Sequence, residues 1–370
     1  MHATKVLKAA AILWVLVLLT VILVYGKPFF VPLTFAGLLS MLLLPVTKWL
    51  QAKGLHQVVA ILLSILILVV FLALVIFFIS WQLSDIAENA ARLEQQVSEK
   101  YQQVRQYVAR EFGISQEQQQ QMIKEQQSAS SGKISALFTG LLGGLGSFLA
   151  NLLLVFVYIF LFICFRGHIK GFIVRLVPPE HRRNALATVH EAQQVAQEYL
   201  TGLSLMIVSL WIMYSIGFSI AGVKNAIFFA IICGLLETVP FVGNLTGTAL
   251  TLAMSLVQGG DTGLVIGILV TYGLVQFIQT YLLEPLVVGA QVSINPMATI
   301  IALVAGEQLW GIPGMILAIP LVGIAKIICD HVPALEPYAY LVGQEKKEDS
   351  PWKKKMKRLG QKVKALFAGK

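Results

Sequence analysis

Glu237-Thr238-Val239-Pro240-Phe241-Val242-Gly243-Asn244 interrupts an apolar stretch that runs from Ala226 to Val257. Pro240 and Gly243 divide the stretch into halves of roughly 14 residues, each short of the ~20 that a membrane-spanning helix needs. A second interruption, Gly306-Glu307-Gln308-Leu309-Trp310-Gly311-Ile312-Pro313-Gly314, divides Met297 to Ile328 in the same way. Broken helices persist at membrane depth only where protein or a watery cavity satisfies the freed backbone groups. Paired interruptions therefore point to a transport site. Each broken segment reads either as one kinked span or as a re-entrant hairpin.

The surroundings confirm the solvent. The chain is 57% hydrophobic and 13% charged, with a mean hydropathy of +0.76, against roughly 25% charged in a soluble domain. Charge-free runs recur at Ala9 to Tyr25, Pro28 to Thr47, Val58 to Trp81, Ala136 to Phe165 and Leu200 to Val223. The first run ends in Tyr25-Gly26-Lys27-Pro28 without a small-residue cleavage pattern, so it reads as a retained anchor and not a signal peptide. The expected fold is an all-α polytopic membrane protein with about eight transmembrane segments, two of them broken or re-entrant.

Lys5, Lys8, Lys48, Lys53, Arg166, Lys170, Arg175, Arg182 and Arg183 fall on one side if the N-terminus is cytoplasmic. That orientation divides the chain into spans one to three (1–82), an extracytoplasmic amphipathic segment (83–135), span four (136–165), a cytoplasmic amphipathic helix (166–200), a transport core (201–342) and a basic cytoplasmic tail (343–370). In the tail Lys353, Lys354, Lys355, Lys357 and Arg358 surround an apolar stripe of Trp352, Met356, Leu359, Val363 and Leu366. This pattern reads either as a helix lying on an anionic leaflet or as a solvated tail that fixes orientation. The net charge of +9 is concentrated there, which argues against a nucleic-acid partner.

Several chemistries are excluded. Gly132-Lys133 is followed by Ile134 and lacks the earlier glycine of a phosphate loop. His190-Glu191 has Gln194 where a metalloprotease needs its second histidine, and Gly144-Leu145-Gly146-Ser147 continues into Phe148 and not through a hydrolase elbow. Cys164, Cys233 and Cys329 stand far apart in apolar segments, and His168, His181 and His190 lack a second ligand at helical spacing. Neither a metal, a cofactor, a disulfide nor an enzymatic activity is expected.

Between Thr201 and Ala325 the charged residues are Lys224, Glu237, Asp261, Glu284 and Glu307. An ionisable group in hydrocarbon lines a pathway or has a partner. Glu237, Glu284 and Glu307 stand beside proline or glycine at the breaks, and meeting at the interface of the broken segments they would bind a cation or proton whose gradient is exchanged for solute. Asn244, Gln279, Asn295 and Gln308 would supply neutral oxygens or donors. The half-helix ends near Pro240, Gly243, Pro313 and Gly314 would add dipoles. The structural alternative is that each glutamate caps a helix N-terminus, with Glu284-Pro285 in a loop.

Glu237-Thr238-Val239-Pro240-Phe241-Val242-Gly243, then Glu284-Pro285-Leu286-Val287-Val288-Gly289, then Pro296 and Gly306 through Pro320, resemble the autoinducer-2 exporter family of bacterial multi-pass proteins, the PerM-like permeases. The resemblance implies an inner-membrane, homo-oligomeric transporter that exports a small polar signalling molecule or metabolite or, in some relatives, exchanges Na+ or Li+ for H+. The basic tail and the glutamine-rich outer segment fall outside the shared pattern. A passive channel and a membrane scaffold are the alternative classes. Coupled accumulation separates a transporter from a channel, and deletion of Asp85 to Gln127 separates a scaffold from either.

Overall fold

The computed structural model describes residues 2–88, 152–239, 242–288 and 294–344. Among them every regular element is a helix, and a single isolated bridge pairs Ile294 with Gly343. Five helical stretches are long and apolar enough to cross a membrane, and a bent pair makes a sixth. The chain is a multi-pass, all-α membrane protein. The outer segment falls mostly outside the described residues and the basic tail almost wholly so, with Lys353, Lys354, Lys355, Lys357 and Arg358 among the residues left out.

Helices α1 (His2–Tyr25) and α2 (Lys27–Ala52) turn at Gly26, and Pro28 lacks the N–H that would have carried the first helix onward. A short loop then returns the chain into α3 (Gln57–Glu88). The α2–α3 pair is antiparallel. Buried Thr47 donates to buried Ser64 at 2.9 Å across it, satisfying two hydroxyls that lipid could not. Helix α4 (Leu152–Cys164) ends beside the start of α3, where Gln57 Nε2 donates to the Cys164 carbonyl. The chain then bends by 66° into α5 (Arg166–Arg175).

After Pro178-Pro179 comes α6 (Arg182–Ala221), 40 residues without a break. Sequence reading divides this region near residue 200 into a surface helix and a span. The two are one helix because no proline interrupts it between Pro179 and Pro240, and Gly202 is buried against its neighbours. At 1.5 Å per residue it is about 60 Å long. Its C-terminal half packs Leu210, Tyr214 and Phe218 into a cluster with Phe229, Cys233, Ile268 and Val275, and its N-terminal half packs Ala196 against Leu38, Trp310 and Leu317.

Both interrupted segments are hairpins. In the first, α7 (Ala226–Leu236) is followed by α8 (Val242–Val257), and Cys233 Sγ lies 3.7 Å from Thr251 Oγ1. A kinked continuous helix would hold residues 18 apart in sequence ~27 Å apart. In the second, α10 (Pro296–Trp310) folds back into α11 (Ile312–His331), and a Cβ at Gly306 would lie 3.2 Å from the Ala318 methyl. Gly311 makes this turn with φ 69° and ψ −146°, a conformation essentially confined to glycine. Between the hairpins run α9 (Thr262–Ile278) and a wide-turn π-helix (Gln279–Val288), and α12 (Glu336–Val342) closes the described chain.

The hairpins enter from opposite ends. Asn225, just before the first, donates to Gln82 at the far end of α3. The second begins and ends at the other end, where His331 Nε2 lies 3.4 Å from Glu191 on the N-terminal part of α6. Its tip reaches the α1–α2 corner, with the Trp310 indole N–H donating to the Leu23 carbonyl at 2.9 Å.

Candidate functional site

The first hairpin carries Glu237 inward. Helix α7 is 11 residues long, so its last turn lies about 16 Å below the hairpin's entry point, near the middle of a ~30 Å hydrocarbon core. There Glu237 is the C-cap residue of α7, where carbonyls and not N–H groups are exposed, so its carboxylate does not cap the N-terminus of that helix. The tip is tight because a Cβ at Gly243 would fall 1.6 Å from the Leu236 carbonyl oxygen.

Opposite Glu237, α9 delivers Gln279, which is only 2% exposed. Gln279 Nε2 donates to Glu237 Oε1 at 2.9 Å. The remaining oxygens, Glu237 Oε2 and Gln279 Oε1, are buried with no hydrogen-bond partner among the described residues. Leaving such atoms unmatched costs ~1–3 kcal/mol each, more for a charged group, so the pair is a standing demand for a proton, a cation or a donor. Glu284 lies close enough to act electrostatically on Glu237, with Gln279 between them. It is exposed, within the π-helix that begins at Gln279, and widened helical turns of this kind recur at functional sites.

The other expected site residues divide differently. Glu307 is exposed on α10 and takes a 3.2 Å hydrogen bond from its neighbour Gln308, so the three glutamates do not form one described cluster. Asn295 is consumed structurally. Its Oδ1 caps α10 by accepting from Ala298 N, while Nδ2 donates to the Leu341 and Gly343 carbonyls. Pro296 and Pro313 sit in the first turns of α10 and α11, where a missing N–H costs nothing. Gly306 and Gly314 face each other across the second hairpin at backbone contact. Pro240 and the side chains of Asn244 and Pro285 lie outside the described residues.

Sequence reading passed over one feature. Thr248, Thr251 and Ser255 are buried along one face of α8, at steps of three and four. Thr251 donates to the Gly247 carbonyl, whereas Thr248 Oγ1 and Ser255 Oγ lack partners among the described residues. Hydroxyls at that spacing in an apolar run are the signal that could have found them.

The protein-family model of AI-2E family transporters matches residues 12–334. The chain belongs to the AI-2E transporter family. It is 27% identical over 320 residues to YrrI of Bacillus subtilis, covering 82% of this chain and 87% of that one. It is 24% identical over 323 residues to YhhT of Escherichia coli K12, covering 85% and 87%. A Mycobacterium tuberculosis relative, MT0215, is 27% identical over 327 residues, covering 84% and 83%. All three are named for transport, and no name states a solute. This AI-2E family member is a membrane transporter, and the match takes in both hairpins and the contact of Glu237 with Gln279 at the end of α9.

Proposed function

We propose that this transporter is a secondary active exporter of a small polar solute, coupled to an ion gradient, with Glu237, Gln279 and Glu284 on its pathway. The observation that carries the reading is the Glu237–Gln279 pair, bonded to each other near mid-membrane with Glu237 Oε2 and Gln279 Oε1 unmatched among the described residues. A carboxylate so placed binds a proton or Na+ in one state and releases it in another, and Gln279 holds it in position throughout. Glu284, exposed beyond Gln279, is the next carboxylate an ion meets on the way to that end of the molecule. The basic loops support an inner-membrane protein with cytoplasmic termini, so that the first hairpin enters from outside and the second from inside. The resemblance to PerM-like permeases supports a homo-oligomer and a small polar cargo.

Reconstitution into proteoliposomes with imposed Na+ and H+ gradients tests this. Glu237→Gln is expected to abolish gradient-driven accumulation, and Glu307→Gln to leave most of it. Accumulation and pH dependence that survive in Glu237→Gln would sink the coupling role. Conductance without accumulation in the wild type would make the protein a channel. Na+ or Li+ flux against H+ without organic cargo would make it a cation antiporter.

A further inference from the structure

We propose that α5 is an in-plane binding surface for the headgroups of anionic phospholipids. The 66° bend that separates α5 from α4 turns the chain from the direction of a span toward the plane of the membrane. On α5 and its flanks Phe165, Ile169, Phe172, Ile173 and Leu176 recur at steps of four, three, one and three, which places them on one helical face. Among the described residues that face is largely uncovered: Phe165 is 53% exposed, Phe172 59% and Leu176 68%, Ile169 is half-buried, and no residue of α5 is buried.

The basic residues border this face and do not oppose it. At 100° per residue Arg166 and Lys170 fall along one edge and Arg175 along the other, where their stems can lie on lipid while the charged heads reach phosphate. The back of the helix is Gly167, Gly171 and Val174, and both glycines have open space where a Cβ would be. No aspartate or glutamate occurs from residue 152 to residue 179, and the first one after it, Glu180, pairs with His181 at 4.0 Å. A largely uncovered apolar face, rimmed by three cations and free of acidic groups, matches a negatively charged leaflet. A soluble partner or a neutral lipid would leave the rim unmatched.

Native mass spectrometry of the full chain, extracted from vesicles of equal phosphatidylglycerol and phosphatidylcholine, tests the surface. The wild type is expected to retain phosphatidylglycerol in preference. Arg166→Gln/Lys170→Gln/Arg175→Gln should reduce that preference about 100-fold, each cation contributing on the order of 1 kcal/mol. Arg166→Lys/Arg175→Lys should keep it, and equimolar inorganic phosphate should not displace the lipid. If the triple variant does not fold, Lys170→Gln alone, in a phosphatidylglycerol titration, carries the test with a smaller loss. Unchanged preference in a folded variant overturns the proposal. So does a preference abolished instead by Gln at Lys353, Lys354, Lys355, Lys357 and Arg358, or a loss that comes only with a change in the number of subunits, which would mean a second copy covers the face.

Discussion

Gln279 holds its place between two carboxylates, Glu237 and Glu284. Its amide nitrogen donates to Glu237, and the surrounding α9 surface of Ile268, Thr271 and Val275 is packed into the core. Gln279→Leu keeps the volume and removes the donor. It is expected to lower thermal stability in detergent by ~1–3 kcal/mol, because Glu237 is left with both oxygens unmatched. Glu237→Gln in the same background should recover part of that loss, since an amide is cheaper to bury unpaired than a carboxylate. A double-mutant cycle followed by thermal unfolding measures the coupling, and additive effects would deny it. Both residues were legible in sequence as polar groups in an apolar half. Which of the four candidate polar side chains would meet Glu237 was not, because 42 residues and a hairpin separate it from Gln279. Glu307 looked equivalent to Glu237 for the same reason. Each is a glutamate beside a break, and only the tertiary arrangement turns one inward and leaves the other exposed beside Gln308.

At the scale of elements, Pro240 with Gly243 and Gly311 with Pro313 announce that two helices stop. They do not announce which way the chain continues. Kink and hairpin have the same local sequence, and the difference lies in long-range contacts such as Cys233 with Thr251 and Gly306 with Gly314. Thr251→Cys, in a chain carrying Cys164→Ser and Cys329→Ser, is therefore expected to form a disulfide with Cys233 under mild oxidation, read as resistance to thiol labelling. Free thiols after oxidation would favour a kinked span. The second hairpin makes a matching prediction for topology. Cysteines at Met297 and Ile328, both exposed, should react with a membrane-impermeant reagent from one side, and a cysteine at Ile312 from the other. Asn295 shows the reverse failure of sequence reading. A polar residue before a proline looked like a ligand, yet Asn before Pro is also a strong helix start, and the cap and the clamp on α12 use its whole side chain.

Across the whole molecule α6 organises the rest. Its two halves face different clusters, one built around the first hairpin and α9, the other around α2 and the second hairpin. The membrane class and most spans were plain from composition, since hydrocarbon demands long apolar runs and little else. The packing of those runs was not plain, because the lipid-facing and protein-facing sides of a buried helix are equally apolar. Exposed Leu, Ile and Val along α1, α3 and α9 cannot be told from core residues by hydropathy.

The anchoring of the second hairpin's tip separates two breaks that look alike in sequence. Trp310 is buried and bonded to the Leu23 carbonyl, and the Lys27 ammonium lies near Gly311, so that hairpin is a strut fixed at both ends. Among the described residues the first hairpin is a cantilever, rooted at Asn225 and held inside the membrane by the Gln279 amide on Glu237 and the Trp211 indole N–H on the Ile231 carbonyl. A strut passes load from one face to the other, whereas a cantilever yields at its free end. Amide hydrogens of residues 236–239 should accordingly exchange faster than those of 309–312, although both stretches sit at helix breaks. Equal protection at the two tips would show that side-chain bonds hold the first as firmly as the corner holds the second.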